Sequence, residues 1–240
     1  MLQKVNFQPG FNKQVTSTGG EGQWTDGDNV RFRYGTPETI FHGLGVKPDL
    51  IIIKNRDRVT DWAVYSSAVD ANFGLKLNTT ATKSDDNGFW EDTEPTSAIF
   101  TTGNGAGYST GAATQNFIAY CFASKKGYSK IGSYKGNDNA DGTFVYTGFS
   151  PAWVMIKRID SANDWIILDN KRNPINPSNE RILANTSAAA STANTMVDFL
   201  SNGFKPRSTY GGINGANNFI YMAFASNPFV TSTGVPATAR

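Results

Sequence analysis

The sequence predicts an all-β protein made of two tandem, related, jelly-roll-like β-sandwich units preceded by an extended N-terminal arm. Its 24 glycines and its 16 Phe, 5 Trp and 9 Tyr suit short strands joined by tight turns. No long segment carries the 3.6-residue period of an amphipathic helix. Most directly, PDLIIIKNRDRVTDWAVY (residues 48–65) recurs without a gap as PAWVMIKRIDSANDWIIL (residues 151–168). Such self-similarity indicates a duplicated scaffold.

Each copy of this motif predicts a β-hairpin. The runs 50–54 and 153–157 are short and apolar, and each follows a proline, which suits the start of a strand because proline cannot donate to a ladder. A polar, turn-prone stretch comes next. The returning strands then begin at Trp62 and Trp165, whose rings we expect to be buried. The repeated Asp-Trp is therefore interpreted as a structural corner.

The polar stretch of each hairpin contains an aspartate. Asp57 and Asp160 occupy equivalent positions, and each is expected to bond its own backbone two residues on. A later common element, LNTT (77–80) and ANTS (184–187), extends the repeat beyond the hairpin.

A second shared strand predicts how the sandwich is packed. FIAYCFAS (117–124) matches FIYMAFAS (219–226), with large side chains alternating with mostly small ones. We expect an interior strand whose bulky face (Ile118, Tyr120 and Phe122 in the first copy) meets the opposite sheet. Cys121, the only cysteine, is expected to be small, buried and without a redox role.

Composition argues against two classes of partner. With 22 basic and 20 acidic residues the net charge is only +2, and no cationic stripe indicates nucleic-acid binding. The apolar runs are far shorter than the ~20 residues of a transmembrane helix, and nothing resembles a signal peptide. We therefore expect a soluble, non-secreted product with no membrane span.

The sequence offers little material for catalysis, and we expect no enzymatic activity and no cofactor. His42, the only histidine, lies in the glycine-rich FHGLG and is expected to be a turn residue rather than a base. NDNADG (137–142) resembles the first half of a calcium loop, but Gly148 stands where a bidentate Glu is needed. We interpret it as a linker turn.

An alternative catalytic site is the acidic cluster in FWEDTEP. Glu91, Asp92 and Glu94 could supply paired carboxylates for glycoside hydrolysis, with Trp90 as a platform for the sugar. The second unit has no counterpart, and clustered acids before a proline are typical of a solvated loop. A glycan depolymerase is kept as an alternative.

Two turn-rich insertions are the predicted binding loops. They are residues 101–116 and 207–218, which combine tyrosine with Asn, Ser, Thr and Gly, as binding loops on rigid sandwiches do. The same composition fits ordinary solvated hairpins, and the sequence does not separate the two. The possible receptor-facing residues are Tyr108, Asn116, Tyr210 and Asn214.

Long strings of the sequence resemble a known family. FHGLGVKPDLIIIKNRDRVTDWAVY, KKGYSKIGSYKGNDNADGTFVYTGFSPAWVMIKRIDSANDWIILD, FLSNGFK and ASNPFVTSTGVPATAR are similar to a tandem domain of unknown function in structural proteins of tailed phages and prophages. The resemblance covers residues 39–240. It implies a concanavalin- or LamG-like sandwich and a virion component, and it implies no chemistry.

The N-terminal stretch LQKVNFQPGFNKQVTSTGGEGQWTDGDNVRFRYGTPE follows the pattern FxPG…N…GxWxDxxxVRFRxGxPE, and in this it resembles the start of phage tail-stabilisation or tail-hub proteins. We expect an arm that docks on a partner, with VRFR (30–33) adding a strand to another chain or to the first sandwich. The matching residues are Phe7, Pro9, Gly10, Trp24, Asp26, Val30, Arg31, Phe32, Arg33, Gly35 and Pro37. The predicted docking residues are Phe7, Phe11, Trp24, Arg31, Phe32 and Arg33.

The sequence thus predicts a non-enzymatic, tail-associated virion protein that shows binding loops to the host surface. The alternative is a capsid or tail decoration protein. The expected partners are other virion proteins, further copies of the chain in the particle and host-surface carbohydrate, after assembly in the host bacterial cytoplasm. The predicted divisions are an arm (1–37) and two sandwich units (38–126 and 127–240).

Overall fold

The computed structural model describes residues 2–7, 38–103, 110 and 115–227. Within these residues the chain is almost entirely strand, with one short helix, which confirms the predicted all-β class. The chain divides into two compact units, Met1–Leu77 with Lys83–Ala123 and Asn78–Thr82 with Ser124–Arg240. None of the described helical segments has the length and apolar character needed to span a bilayer.

The first unit contains a six-stranded sheet and a two-stranded sheet, both antiparallel. Its elements are β1 (Leu2–Phe7), β2 (Glu38–Phe41), β3 (Leu50–Asn55), β4 (Ala63–Ser66), β5 (Phe73–Lys76), β6 (Ser84–Asp85), α1 (Asn87–Trp90), β7 (Ile99–Thr102) and β8 (Phe117–Phe122). The larger sheet has the order β1-β8-β3-β4-β5-β6, and β2 pairs with β7.

The second unit contains a five-stranded sheet and a three-stranded sheet, again antiparallel. Its elements are β9 (Ser129–Lys135), β10 (Val145–Tyr146), β11 (Pro151–Arg158), β12 (Trp165–Asp169), β13 (Arg181–Leu183), β14 (Val197–Leu200), β15 (Gly203–Pro206) and β16 (Asn218–Ala225). The sheets have the orders β13-β12-β11-β16-β9 and β10-β15-β14.

The two larger sheets share one register at their centres. Leu50 of β3 lies opposite Phe122 of β8, and Trp153 of β11 lies opposite Phe224 of β16. Since a slip of one residue would turn every side chain to the other face, this agreement means that equivalent residues of these central strands point to the same face in both units.

The strand β1 occupies the place in the first unit that β9 occupies in the second. It pairs with β8 along six residues, with Phe7 opposite Phe117, as Tyr134 of β9 lies opposite Phe219 of β16. The first unit therefore takes in a strand from the segment that the sequence assigned to an arm. The segment 8–37 connects β1 to β2, where the second unit has only 136–144 between β9 and β10. The predicted VRFR strand lies outside the described residues.

The core of each unit lies against the face of the shared strand that begins with Phe117 or Phe219; in the second unit this face also carries Tyr221, and in both units it carries small residues. In β8 these are Ala119 and Cys121, which are buried beside Phe117, while Ile118, Tyr120 and Phe122 are only partly buried. The expectation that the bulky face meets the opposite layer was therefore wrong. Small side chains leave room for large rings from other elements, here Tyr65, Phe89, Trp90 and Phe100.

Candidate ligand-binding loops

In both units an aspartate and an asparagine join the hairpin loop to the start of the shared strand. Asp57 Oδ2 accepts hydrogen bonds from the backbone N and the Nδ2 of Asn116, at 2.6 and 2.9 Å. Asp160 Oδ2 accepts from the same two groups of Asn218, at 2.8 and 3.3 Å. We name this contact the Asp–Asn clasp. The aspartates were expected to bond their own backbone, and they instead bind a distant loop.

In each hairpin a lysine of the first strand donates a hydrogen bond to a backbone carbonyl near the end of the hairpin loop. Lys54 Nζ donates to the carbonyl oxygen of Thr60 at 2.8 Å, and Lys157 Nζ donates to that of the equivalent Asn163 at 2.5 Å. Lys157 also donates to Thr80 O at 3.0 Å. Because its side chain is fully buried, desolvation lowers the pKa of Lys157 to about 8, although Asp164 acts in the opposite direction. The loop conformation is thus fixed by contacts beneath it.

The repeated Asp-Trp dipeptides also have structural roles, most clearly in the second unit. Trp165 is only 1% exposed, and its backbone N donates to Asn185 Oδ1 at 2.9 Å. Asn185 Nδ2 in turn donates to Asp164 Oδ1 at 2.8 Å. In the first unit Trp62 is only partly buried. The two tryptophans therefore differ in burial, although they occupy equivalent positions of the repeat.

Tyr210, a predicted receptor-facing residue, lies half-buried in the loop before β16. The guanidinium of Arg181 lies 4.8 Å from the centre of its ring, a cation–π arrangement. Gly212 packs against the same ring, and a Cβ added at Gly212 would lie only 2.5 Å from Tyr210 Cε1. One face of the ring is therefore occupied, and the side chain is held in one position.

Asn214, another predicted receptor-facing residue, is buried and has no exposed surface. Its Nδ2 donates to Asn139 O at 2.6 Å, to Ser208 O at 2.9 Å and to Asn137 Oδ1 at 3.0 Å. Asn214 therefore holds two loops together and does not face solvent. The NDNADG segment is the turn that it anchors, and no cluster of metal-ligating side chains occurs in the part of the chain that the structure describes.

The remaining predicted site residues have varied outcomes. Asn116 belongs to the clasp of the first unit. Phe7 ends the strand β1. The predicted residues that lie outside the described ranges are Tyr108, Phe11, Trp24, Arg31, Phe32 and Arg33.

His42 is a buried structural residue. Its Nδ1 accepts from the backbone N of Leu44 at 3.2 Å, and its Nε2 lies 3.2 Å from Thr96 O, which fits a neutral ring protonated at Nε2. Burial lowers the pKa of His42, although the hydrogen bond to Thr96 opposes this effect. The ring joins two loops and is only 1% exposed.

In the alternative glycosidase site Trp90 is buried, whereas Asp92 and Glu94 are exposed and Glu94 is held by hydrogen bonds. Trp90 is 1% exposed and packs edge-on against Tyr65, with ring centres 5.8 Å apart. Glu94 accepts hydrogen bonds from Lys47 Nζ and Tyr65 Oη at 2.6 Å each, and from Ala71 N at 2.7 Å. Partial burial acts to raise the pKa of Glu94, but these hydrogen bonds outweigh that effect and hold the pKa below its ordinary value.

The recurrence of the clasp residues is visible in the sequence, but their contact is not. Both aspartates and both asparagines recur at the repeat spacings, but so do many residues whose recurrence reflects packing. Nothing in the sequence shows which of them meet across the fold.

The strand orders and the paired clasps define an all-β protein made of two related antiparallel units. The chain belongs to the family described as Domain of unknown function (DUF7483), whose model matches residues 28–228. No curated protein and no solved structure matches the chain.

Proposed function

We propose that this chain is a non-enzymatic structural protein of a tailed-phage virion, that it is associated with the tail, and that its clasped loops face the host surface. The phage assignment rests on the sequence resemblance of residues 39–240 and of the N-terminal segment. In this proposal the partners are other virion proteins, further copies of the chain and host-surface carbohydrate, and assembly takes place in the host bacterial cytoplasm.

The repeated Asp–Asn clasp is the observation that carries the display of loops. Each clasp ties a hairpin loop to the loop before the shared strand, and each hairpin is closed from inside by Lys54 or Lys157. Loops held in one conformation lose less entropy when they bind, which is the usual advantage of loops carried on a rigid sandwich.

The attachment to neighbouring virion proteins is assigned to the segment 8–37. The strand β1 belongs to the larger sheet of the first unit, so the docking proposal concerns only the residues that follow it. In the second unit the equivalent connection consists of residues 136–144 alone. The proposal therefore assigns docking to these residues and leaves the pairing of β1 with β8 intact.

The experiment replaces residues 8–37 with the sequence of residues 136–144, GNDNADGTF, and leaves β1 in place. We expect the purified variant to fold, as seen by circular dichroism, and to be missing from purified phage particles analysed by quantitative mass spectrometry. Incorporation at the normal copy number would show that the docking surface lies elsewhere. Failure to find the unaltered protein in any particle would contradict the virion assignment itself.

Adherence to host cells tests the display of loops. The double variant Asp57→Ala/Asp160→Ala removes both clasps, and Asp85→Ala removes an exposed carboxylate of β6 as a control. We expect the double variant to adhere several-fold more weakly than the control. If the unaltered protein does not adhere, the receptor-facing role is wrong.

A capsid or tail decoration protein is the second candidate, and two observations favour it. Asn214 is buried, and one face of Tyr210 is covered by Arg181. These predicted contact residues thus stabilise the unit itself. A decoration role predicts particles that lose heat or salt stability when the protein is removed and that still adsorb to cells at the normal rate.

A further inference from the structure

A pocket of about 270 Å³ lies in the second unit, at the end of its larger sheet away from the clasp. The strand β16 begins at the clasp with Asn218 and ends at Ala225, whose N donates to Tyr128 O at 2.9 Å beside the pocket. The side chains that matter for its chemistry are Ser124, Lys126, Ser129, Lys130, Tyr146 and Thr147.

The pocket has a positive charge. Lys126 and Lys130 line it and are exposed, and no carboxylate is among the lining residues. Among the residues that the structure describes, neither lysine forms an ion pair, whereas Lys205 and Arg207 of the same unit both bind Asp141. Two uncompensated ammonium groups at one pocket favour an anionic ligand.

An exposed aromatic ring stands beside these charges. Tyr146 is 64% exposed, although it belongs to β10 and is paired with Gly203. Gly148, which also lines the pocket, has φ +81°, and a Cβ at Gly148 would lie 3.5 Å from the Tyr146 hydroxyl oxygen. A tyrosine fixed to a strand offers a flat, amphipathic contact surface at little entropic cost.

The hydroxyl side chains of the pocket are held in place by the backbone. Ser124 Oγ accepts from Ile131 N at 3.1 Å, and Ser129 Oγ accepts from Lys125 N at 3.2 Å. Thr147 Oγ1 donates to Phe149 O at 2.6 Å. Ser129 and Thr147 are buried, so the partly buried Ser124 is the hydroxyl side chain that this wall offers to a ligand.

We propose that this pocket binds a single acidic sugar, a pyranose that carries a carboxylate, within a larger surface polysaccharide. Lys126 and Lys130 bind the carboxylate, the ring of Tyr146 packs against the apolar face of the pyranose, and the Ser124 hydroxyl contacts a sugar hydroxyl. The volume is just below the ~300–1,000 Å³ of pockets for drug-sized ligands, which fits one sugar unit. The inference rests on the proposed host-surface role for the source of the sugar, and because the pocket lies at the end of the sheet away from the clasp, it is a second contact with that polysaccharide, separate from the clasped loops.

The experiment is an NMR titration of the full chain with sodium glucuronate, with methyl glucoside as the neutral counterpart and sodium acetate as the anion without a ring. We expect glucuronate to bind more tightly than either control and more weakly as salt rises, because exposed charges are screened. Lys126→Ala/Lys130→Ala and Tyr146→Ala should each weaken binding of glucuronate by roughly fivefold or more. Arg56→Ala/Lys171→Ala, which removes the same charge from exposed positions elsewhere, should leave it unchanged.

Three results overturn the inference: no binding of glucuronate, equal binding of methyl glucoside, and equal binding of acetate, which would indicate a simple anion site. Melting temperatures of the variants show whether they remain folded. Adherence to host cells separates this inference from the proposed function. If adherence survives Lys126→Ala/Lys130→Ala, the pocket is not the receptor site although the display role stands. If glucuronate binds and the chain never adheres, the display role is wrong and the pocket remains.

Discussion

Asp160 accepts two hydrogen bonds from Asn218, one from its backbone N at 2.8 Å and one from its Nδ2 at 3.3 Å. The two residues are far apart in the chain, and the contact recurs between Asp57 and Asn116. The clasp thus ties a hairpin loop to the start of an interior strand in both units. This recurrence makes it the most direct target for mutation.

Asp160→Ala should destabilise the second unit by about 1 kcal/mol, because the backbone N of Asn218 loses its acceptor at a partly exposed site. Chemical denaturation of the full chain measures this change. Asp160→Asn, which keeps an acceptor oxygen, should recover part of the loss. A loss from Asp85→Ala as large as that from Asp160→Ala would mean that the effect is not specific to the clasp.

Trp165→Ala should lower the free energy of unfolding by roughly 3–5 kcal/mol, because the ring is 1% exposed and its removal leaves a cavity. Trp62→Ala should cost only about 1–2 kcal/mol, since that ring is partly in contact with water. Equal losses in the two variants would show that the difference in burial has no energetic consequence.

His42 should make the protein less stable as the pH falls below 6.5. Burial lowers the pKa of His42 in the folded state, so the unfolded chain takes up a proton first. The stability is complete above the unfolded pKa and is lost as the pH falls toward the folded pKa. Melting temperatures measured from pH 7.5 to 5.5 should show this decline, and His42→Gln should remove most of it. An unchanged slope in the variant would assign the effect to other groups.

Lys157 should make the protein more stable as the pH rises from about 8 to 10. Burial lowers the pKa of Lys157 to about 8 in the folded state, whereas the unfolded side chain holds its proton until about 10.5. The unfolded state therefore binds more protons in this window. Lys157→Met should flatten this part of the melting-temperature profile. Above pH 10 the tyrosines of the unfolded chain begin to titrate, which ends the useful range.

Val5→Pro should destabilise the first unit, because proline removes a backbone N–H within β1, where Val5 lies opposite Ala119. Loss of β1 would also expose the edge of β8 and favour aggregation. Light scattering on heating and the melting temperature measure both effects, with Val5→Ala as the control. If the two variants behave alike, the pairing of β1 contributes nothing to the first unit.

The sequence showed the duplication because matching strands need matching side chains. The two motifs that begin at Pro48 and Pro151 keep their turn residues and their internal lysine. The two strands that begin at Phe117 and Phe219 keep the alternation of their side chains. Strand identity, the hairpins and the all-β class follow from such local patterns, since a strand has the same two-residue period wherever it lies.

Other features depended on contacts between distant parts of the chain. The sequence of β1, LQKVNF, shares no identical residue with SKIGSY, the first six residues of β9, although Phe7 and Tyr134 take equivalent places, so the repeat was not detected there. The pairing of residues 2–7 with β8 was for that reason not predicted. The sequence also did not show which face of β8 lies against the core. Alternating side chains define two faces of a strand, but they do not indicate which of the two is covered.

The sequence by itself determined the class of fold, the two related units and the position of their hairpins, because these follow from local periodicity and turn chemistry. Only the tertiary structure decided that Asn214 is buried, that Asp57 and Asp160 bind distant asparagines and that Lys126, Lys130 and Tyr146 share one pocket. Polar side chains such as these are equally compatible with solvent and with an interior hydrogen bond. Their roles are set by the partners that the folded chain brings to them.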